Sequence, residues 1–175
     1  MRGWFLSCFW VALSCGVEAA LPGNPVQALQ AYLKQPVGQR KPTTEDFRNL
    51  TLSLKQAEQV SGLLWADHAA FLRKERAKEM QAKVIRRGAL SMRFEYYVYG
   101  DKPKDGRSLY ISMHGGGNAP ARVNDGQWEN QKRLYHPKEG IYLVPRAPTN
   151  TWNLWHQGHI DPMFMRLIEN LVILQ

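Results

Sequence analysis

Apolar and polar positions fall into three successive regimes along the chain. Residues 3–17 are predominantly apolar, with Arg2 before them and Val17-Glu18-Ala19 after. A charged start, a short apolar centre and small residues at its end are the layout of a secretory signal peptide, so residues 1–19 are expected to be removed on export. The stretch falls short of the roughly 20 apolar residues a membrane helix needs. Pro22, Gly23 and Pro25 follow at once and prevent its continuation as a buried helix. A second reading makes Cys15, after Ala12-Leu13-Ser14, the anchor of a lipoprotein.

Helical spacing takes over next. Asn24 is placed to cap a helix with Pro25 at its first position and Ala28, Leu29 and Leu33 on one face. Residues 35–42 then read as a polar turn. A longer helix is expected from about Thr44 or Ser53 to Ala82, with Leu54, Ala57, Val60, Leu64, Ala70 and Phe71 as its apolar face. Its stretch from Arg73 to Glu79 mixes both charge signs and reads as a solvated end. Residues 20–82 thus form a helical amino-terminal extension.

From Lys83 onward the pattern becomes that of a sheet. Met92–Tyr99 is rich in aromatic and β-branched residues and is bounded by Gly100-Asp101-Lys102-Pro103. Ser108–Met113 is expected as a second strand, and Gly140–Val144 as a third, apolar enough to be covered on both faces. A crossover helix near 125–135 would make these last two parallel. Asp161 and Pro162 open a closing helix with Phe164, Leu167, Ile168, Leu171 and Leu174 on one face. The fold class is therefore α/β, a partly parallel sheet with crossover helices.

Composition narrows the choice of function. With 44% hydrophobic and 22% charged residues, the 175-residue chain has the profile of a folded protein of ordinary domain size. Its two cysteines, Cys8 and Cys15, both precede the expected cleavage point, which excludes a disulfide scaffold. The formal charge is +8, and Lys74, Arg76, Lys78, Lys83, Arg86, Arg87 and Arg93 form a basic run. A non-enzymatic module for an anionic polymer is the alternative this run supports. Glu75 and Glu79 interrupt it, and no aromatic residue interleaves it before Phe94. An exported protein is not expected to meet nucleic acid, nor to stay inserted in a membrane once its signal is cleaved.

The second strand runs directly into His114-Gly115-Gly116-Gly117-Asn118. Consecutive glycines let the backbone approach a ligand closely and turn N–H groups towards it. That is the requirement of an oxyanion hole, where fixed donors meet the oxygen that becomes negative as an acyl carbonyl is attacked. Around this motif, residues 108–175 resemble the front half of an α/β-hydrolase domain of the secreted esterase and poly(3-hydroxybutyrate)-depolymerase-like group. Ile111 to Gly117 resembles that group's strand and oxyanion loop, and Leu143-Val144-Pro145-Arg146-Ala147-Pro148 its next parallel strand and exit loop. Trp152-Asn153-Leu154-Trp155 and His159-Ile160-Asp161 are similar to its substrate-side loop and the start of the following helix.

The resemblance implies residues 83–175 as the amino-terminal part of a hydrolase domain that stops before the nucleophile. No G-x-S-x-G occurs, and none of Ser53, Ser61, Ser91, Ser108 and Ser112 has the flanking glycines. The implied protein is a secreted or periplasmic serine hydrolase acting on a small acyl ester or polyester, with a serine peptidase of the same fold as the alternative. No cofactor is expected. The 175 residues alone are expected to be inactive, because the triad is not among them. Candidate site residues are His114, Gly115, Gly116, Gly117 and Asn118 for the oxyanion hole, and Trp152 and Trp155 for the substrate pocket, with Trp128 as a further aromatic candidate. His114, His136, His156 and His159 lack the spacing of a strong metal motif. A Ser112–His114 pair is disfavoured because a nucleophile belongs on a strained turn. Asn49-Leu50-Thr51 matches a glycosylation sequon.

Overall fold

The computed structural model describes residues 24–42 and 50–175. The expected signal peptide with both cysteines, the Thr44 alternative for a helix start, and Asn49 of the sequon lie outside the described residues. The chain divides into two compact units, Met1–Trp65 and Ala66–Gln175. Among the described residues no helix is long and apolar enough to cross a membrane.

In the first unit, helix α1 spans Pro25–Leu33, and Asn24 Oδ1 accepts the Val26 N–H at 3.0 Å. Ala28 and Leu29 are its buried residues. Arg40 folds back to donate to the carbonyls of Leu33 (2.8 Å) and Gln35 (3.0 Å), satisfying acceptors that a helix end leaves open. Helix α2, Leu54–Ala82, most of which belongs to the second unit, starts at the later of its two expected positions. Ser53 and Gln56 decide this with a reciprocal cap: the Ser53 N–H donates to Gln56 Oε1 at 2.9 Å, and the Gln56 N–H donates to Ser53 Oγ at 3.3 Å.

The second unit holds a four-stranded mixed sheet. Its strands are β1 (Val84–Arg87), β2 (Leu90–Tyr99), β3 (Leu109–Ile111) and β4 (Gly140–Pro145), in the order β1-β2-β4-β3. β1 and β4 each pair antiparallel with β2, and β3 pairs parallel with β4. The expected parallel pair is thus present, with Leu109 opposite Ile141 and Ile111 opposite Leu143. β3 is shorter than the expected Ser108–Met113, although Ser108 and Ser112 each add one flanking backbone bond of 2.8 Å to the β4 strand. Helix α3, Ala121–Gln131, makes the crossover. It begins four residues before the expected stretch because Pro120 supplies its cap position.

β1 is a strand that the polar/apolar pattern did not reveal. Arg86 and Arg87 mask it, yet Gly88-Ala89 forms a two-residue hairpin between Arg87 and Leu90. Gly88 takes φ 57°, the conformation that the first turn position of such hairpins demands.

Alternation along β4 divides the core into two layers. Ile141 and Leu143 face a cluster with Ile85, Met92, Phe94, Met163 and Leu167, under helix α4 (Ile160–Leu174). Tyr142 and Val144 face Trp128 of α3 on the other side. β4 is buried at every position, as its unbroken apolar run implied.

Two helix faces differ from expectation. In α2 the buried residues are Ala69, Leu72 and Met80, whereas Leu54, Leu64 and Phe71 are exposed. In α4 they are Ile160, Met163, Leu167, Asn170, Leu171 and Ile173, a face rotated away from Phe164 and Ile168. The cause is polar. Asn170, 1% exposed, donates to Glu79 Oε2 (3.0 Å) and accepts from Arg76 Nη1 (3.1 Å). Arg76 also pairs with Glu169, and Arg166 pairs with Glu79 at 2.8 Å. The mixed-charge part of α2 is therefore turned towards α4 rather than simply solvated.

Candidate functional site

The glycine loop leaves the carboxyl end of β3 and enters α3. His114, at its head, is buried and fully engaged. Its Nδ1 lies 2.7 Å from the Gly115 carbonyl oxygen, and its Nε2 accepts the Ala147 N–H at 3.0 Å. A carbonyl can only accept, so the proton sits on Nδ1 and the ring is neutral. Burial is the first cause holding its pKa below the ordinary histidine value; the Gly115 contact opposes this and Arg146 adds to it. With both nitrogens occupied, His114 is a brace and not a base. Ser112, two residues earlier, gives its hydroxyl to Gln131 Oε1, so the two side chains do not form a dyad.

Each glycine meets a different constraint. Gly116 has φ 98°, and a Cβ there would lie 3.3 Å from Asn124 Oδ1 and from Gln127 Cγ. At Gly117 a Cβ would meet the carbonyl oxygens of Trp152 at 2.7 Å and Thr151 at 2.9 Å. Gly115 has open space on that side. Asn118 takes φ 60° and donates its N–H to the Asn150 carbonyl at 2.9 Å. Among the described residues, the N–H groups of Gly115, Gly116 and Gly117 have no acceptor. Asn124 is also buried here; it donates to the Ala119 carbonyl at 2.9 Å while its Oδ1 has no partner among the described residues.

A second loop, following β4, supports the first. Arg146 is 6% exposed and donates to Asp125 Oδ1 (2.9 Å), to the carbonyls of Ala147 (2.6 Å) and Thr149 (3.1 Å), and to Asn150 Oδ1. Hydrogen bonding from Arg146 is the first cause that holds the Asp125 carboxyl below its ordinary range, and Arg93 contributes further. Gln157 ties Thr149 and Thr151 with bonds of 2.8 and 2.7 Å. Residues 146–151 are thereby fixed, and through the Asn150 carbonyl they fix Asn118. Sequence reasoning passed over Arg146, Asp125 and Asn150. The available signal was an arginine directly after a strand with both faces apolar, since a buried guanidinium needs partners.

The tryptophans are placed differently from one another. Trp155 donates its indole N–H to the His114 carbonyl at 2.9 Å and meets the imidazole edge-on, with ring centres 5.3 Å apart. It lines an open apolar depression of about 520 Å³ with Ile111, Met113, Ile160 and Phe164. Trp152 is 79% exposed and contributes its backbone carbonyl to the approach to Gly117. Trp128 is buried, donates to the Val144 carbonyl at 2.9 Å, and has Lys132 Nζ 3.6 Å from its ring centre.

Among the described residues no group of three or more His, Cys, Asp or Glu is placed to hold a metal ion. His136 Nδ1 lies 2.9 Å from Tyr99 Oη, and His159 Nε2 is buried without a partner among the described residues. Within the basic run, Arg76, Lys83 and Arg93 pair with Glu169, Glu95 and Asp125. No family model matches this sequence, and comparison with curated proteins and with solved structures finds no match either.

Proposed function

We propose that this chain carries the oxyanion-hole half of an exported serine ester hydrolase of the α/β-hydrolase fold. One observation carries the reading. A glycine loop with three N–H groups that lack an acceptor among the described residues sits at the carboxyl end of β3, beside a parallel β4, and leads into α3. Ligands of open α/β sheets bind outside such strand ends.

In the proposed reaction a serine Oγ, activated by a histidine, attacks the ester carbonyl carbon. Negative charge gathers on the carbonyl oxygen and is met by the Gly116 or Gly117 N–H. The 146–151 loop already holds Asn118, the residue that follows these donors, through the Asn150 carbonyl. The apolar depression beside Met113 and Trp155 suits the acyl portion. Ser112 and His114 are not the reacting pair, since both are committed to structural bonds. The nucleophile is therefore assigned to a G-x-S-x-G outside these 175 residues. Pairing of Arg76, Lys83 and Arg93 within the fold leaves the anionic-polymer alternative with less free charge than the sequence suggested.

The test begins with the reading frame beyond Gln175 and continues with aryl-ester hydrolysis by the encoded protein. A G-x-S-x-G should follow within the next strand and turn, and Gly117→Val should lower kcat by about 100-fold or more, the scale of one lost donor. Gly115→Ala, whose Cβ enters open space, should leave the fold intact and serves as the control. Full turnover in a folded Gly117→Val variant, or robust hydrolysis by residues 20–175 alone, would remove the reading.

A further inference from the structure

Two arginines share one oxygen of Asp125 and lead to different places. Arg93 of β2 donates to Asp125 Oδ1 at 2.6 Å, with half of its side chain open to solvent, and also lies over the Trp128 ring. Arg146, at the exit of β4, donates to the same oxygen at 2.9 Å from a buried position. Its guanidinium continues to the carbonyls of Ala147 and Thr149 and to Asn150 Oδ1. Asp125 stands on α3, the helix that the glycine loop enters, so the Arg146 pair ties that helix to the 146–151 loop. The strand-exit loop then meets the glycine loop at two points. The Asn150 carbonyl accepts the Asn118 N–H, and the carbonyls of Thr151 and Trp152 stand where a Cβ on Gly117 would be.

We propose that Asp125 and Arg146 are positioning residues of the oxyanion hole: their pair sets α3 against the 146–151 loop and thereby aims the Gly116 and Gly117 N–H groups. This role rests on the hydrolase reading above. A planar guanidinium holds its acceptors in fixed directions, and a buried one cannot trade them for water. Oxyanion donors must lie within about 2.7–3.1 Å of the charged oxygen, and a misplacement of about 1 Å costs turnover about 100-fold. The pair acts through the backbone and touches no reacting atom. Arg93 adds charge to the same carboxylate without reaching the 146–151 loop through its side chain, so it separates a general electrostatic effect from a geometric one.

The test is aryl-ester kinetics on the full-length protein, joined to amide exchange at Asn118 measured by NMR. Asp125→Ala should lower kcat about 10-fold or more and change KM less than about 3-fold, because the donors act mainly on the transition state. The fold should survive, since Arg146 keeps its three oxygens in the 146–151 loop. Asp125→Ser, too short to reach Arg146, carries the same expectation. Asp125→Asn retains an oxygen for Arg146 Nε and should restore most of the turnover. Arg93→Gln removes only the exposed pair and should leave kcat within about 2-fold. In a Gly117→Val background, Asp125→Ala should cost no more than about 3-fold, because the donors it aims are already displaced. Exchange of the Asn118 N–H should quicken about 10-fold in Asp125→Ala and stay unchanged in Arg93→Gln. Wild-type kcat in a folded Asp125→Ala protein, an equal loss in Arg93→Gln, no recovery in Asp125→Asn, or unchanged Asn118 exchange would each overturn the positioning role, even where Gly117→Val lowers turnover. Full turnover in a folded Gly117→Val protein would instead remove the hydrolase reading, and this role with it.

Discussion

At the scale of single residues, the three glycines look alike in the sequence and differ in consequence. Gly115→Ala places a methyl group in open space and should change stability by no more than about 0.5 kcal/mol. Gly117→Ala drives its Cβ to 2.7 Å from a backbone carbonyl, and backbone cannot swing aside as a flexible side chain can. Urea denaturation should show a loss of about 1–3 kcal/mol, the usual cost of overpacking. His114 makes a second residue-level prediction. Burial lowers its pKa in the fold, so below about 6.5 the unfolded chain binds a proton that the folded chain resists. Its contribution is complete above that pH and is lost as pH falls towards the lowered folded value. An NMR titration of the imidazole should place its midpoint below the ordinary histidine value; a midpoint at or above it would contradict the brace described here.

At the scale of elements, α2 and α4 are joined as much by polar bonds as by apolar packing. Asn170→Ala would strip Arg76 and Glu79 of a buried partner, and chemical denaturation should report a loss of about 1–3 kcal/mol. Glu169 adds a dependence on acid. Its carboxyl is held below the ordinary range first by the Arg76 hydrogen bond and then by His68. Its contribution is present above the unfolded carboxylate pKa and disappears as pH falls through the depressed folded value. Glu169→Gln should therefore flatten the stability profile at the acid end, and an unchanged acid slope would show that the pair is too well screened to matter. Helical spacing located both helices. It missed their faces because it counts apolar residues, and here the contact is built around a buried asparagine.

At the scale of the whole molecule, β3 is an edge strand among the described residues, with Leu109, Ile111 and the following Met113 all exposed. An open apolar edge invites pairing with another chain. Concentration-dependent association of residues 20–175 produced alone is expected, and Ile111→Lys should reduce it in sedimentation experiments without lowering the thermal midpoint. Equal association in the variant would place the contact elsewhere.

The sequence by itself determined the helix that Asn24 caps and Pro25 opens, the doubly buried β4, the parallel partnership of β3 with β4, and the glycine loop between β3 and its crossover helix. Each of these rests on near neighbours: a capping pair, an apolar run, a connection long enough for a helix, a cluster of residues without side chains. Tertiary structure alone decided which glycine is confined by backbone carbonyls and that His114 is locked between Gly115 and Ala147. It also decided that Arg146 braces the loop and that Arg76 and Glu79 face α4. All of these depend on groups far apart in the chain, and no local spacing encodes which distant donor a buried charge or carbonyl will meet.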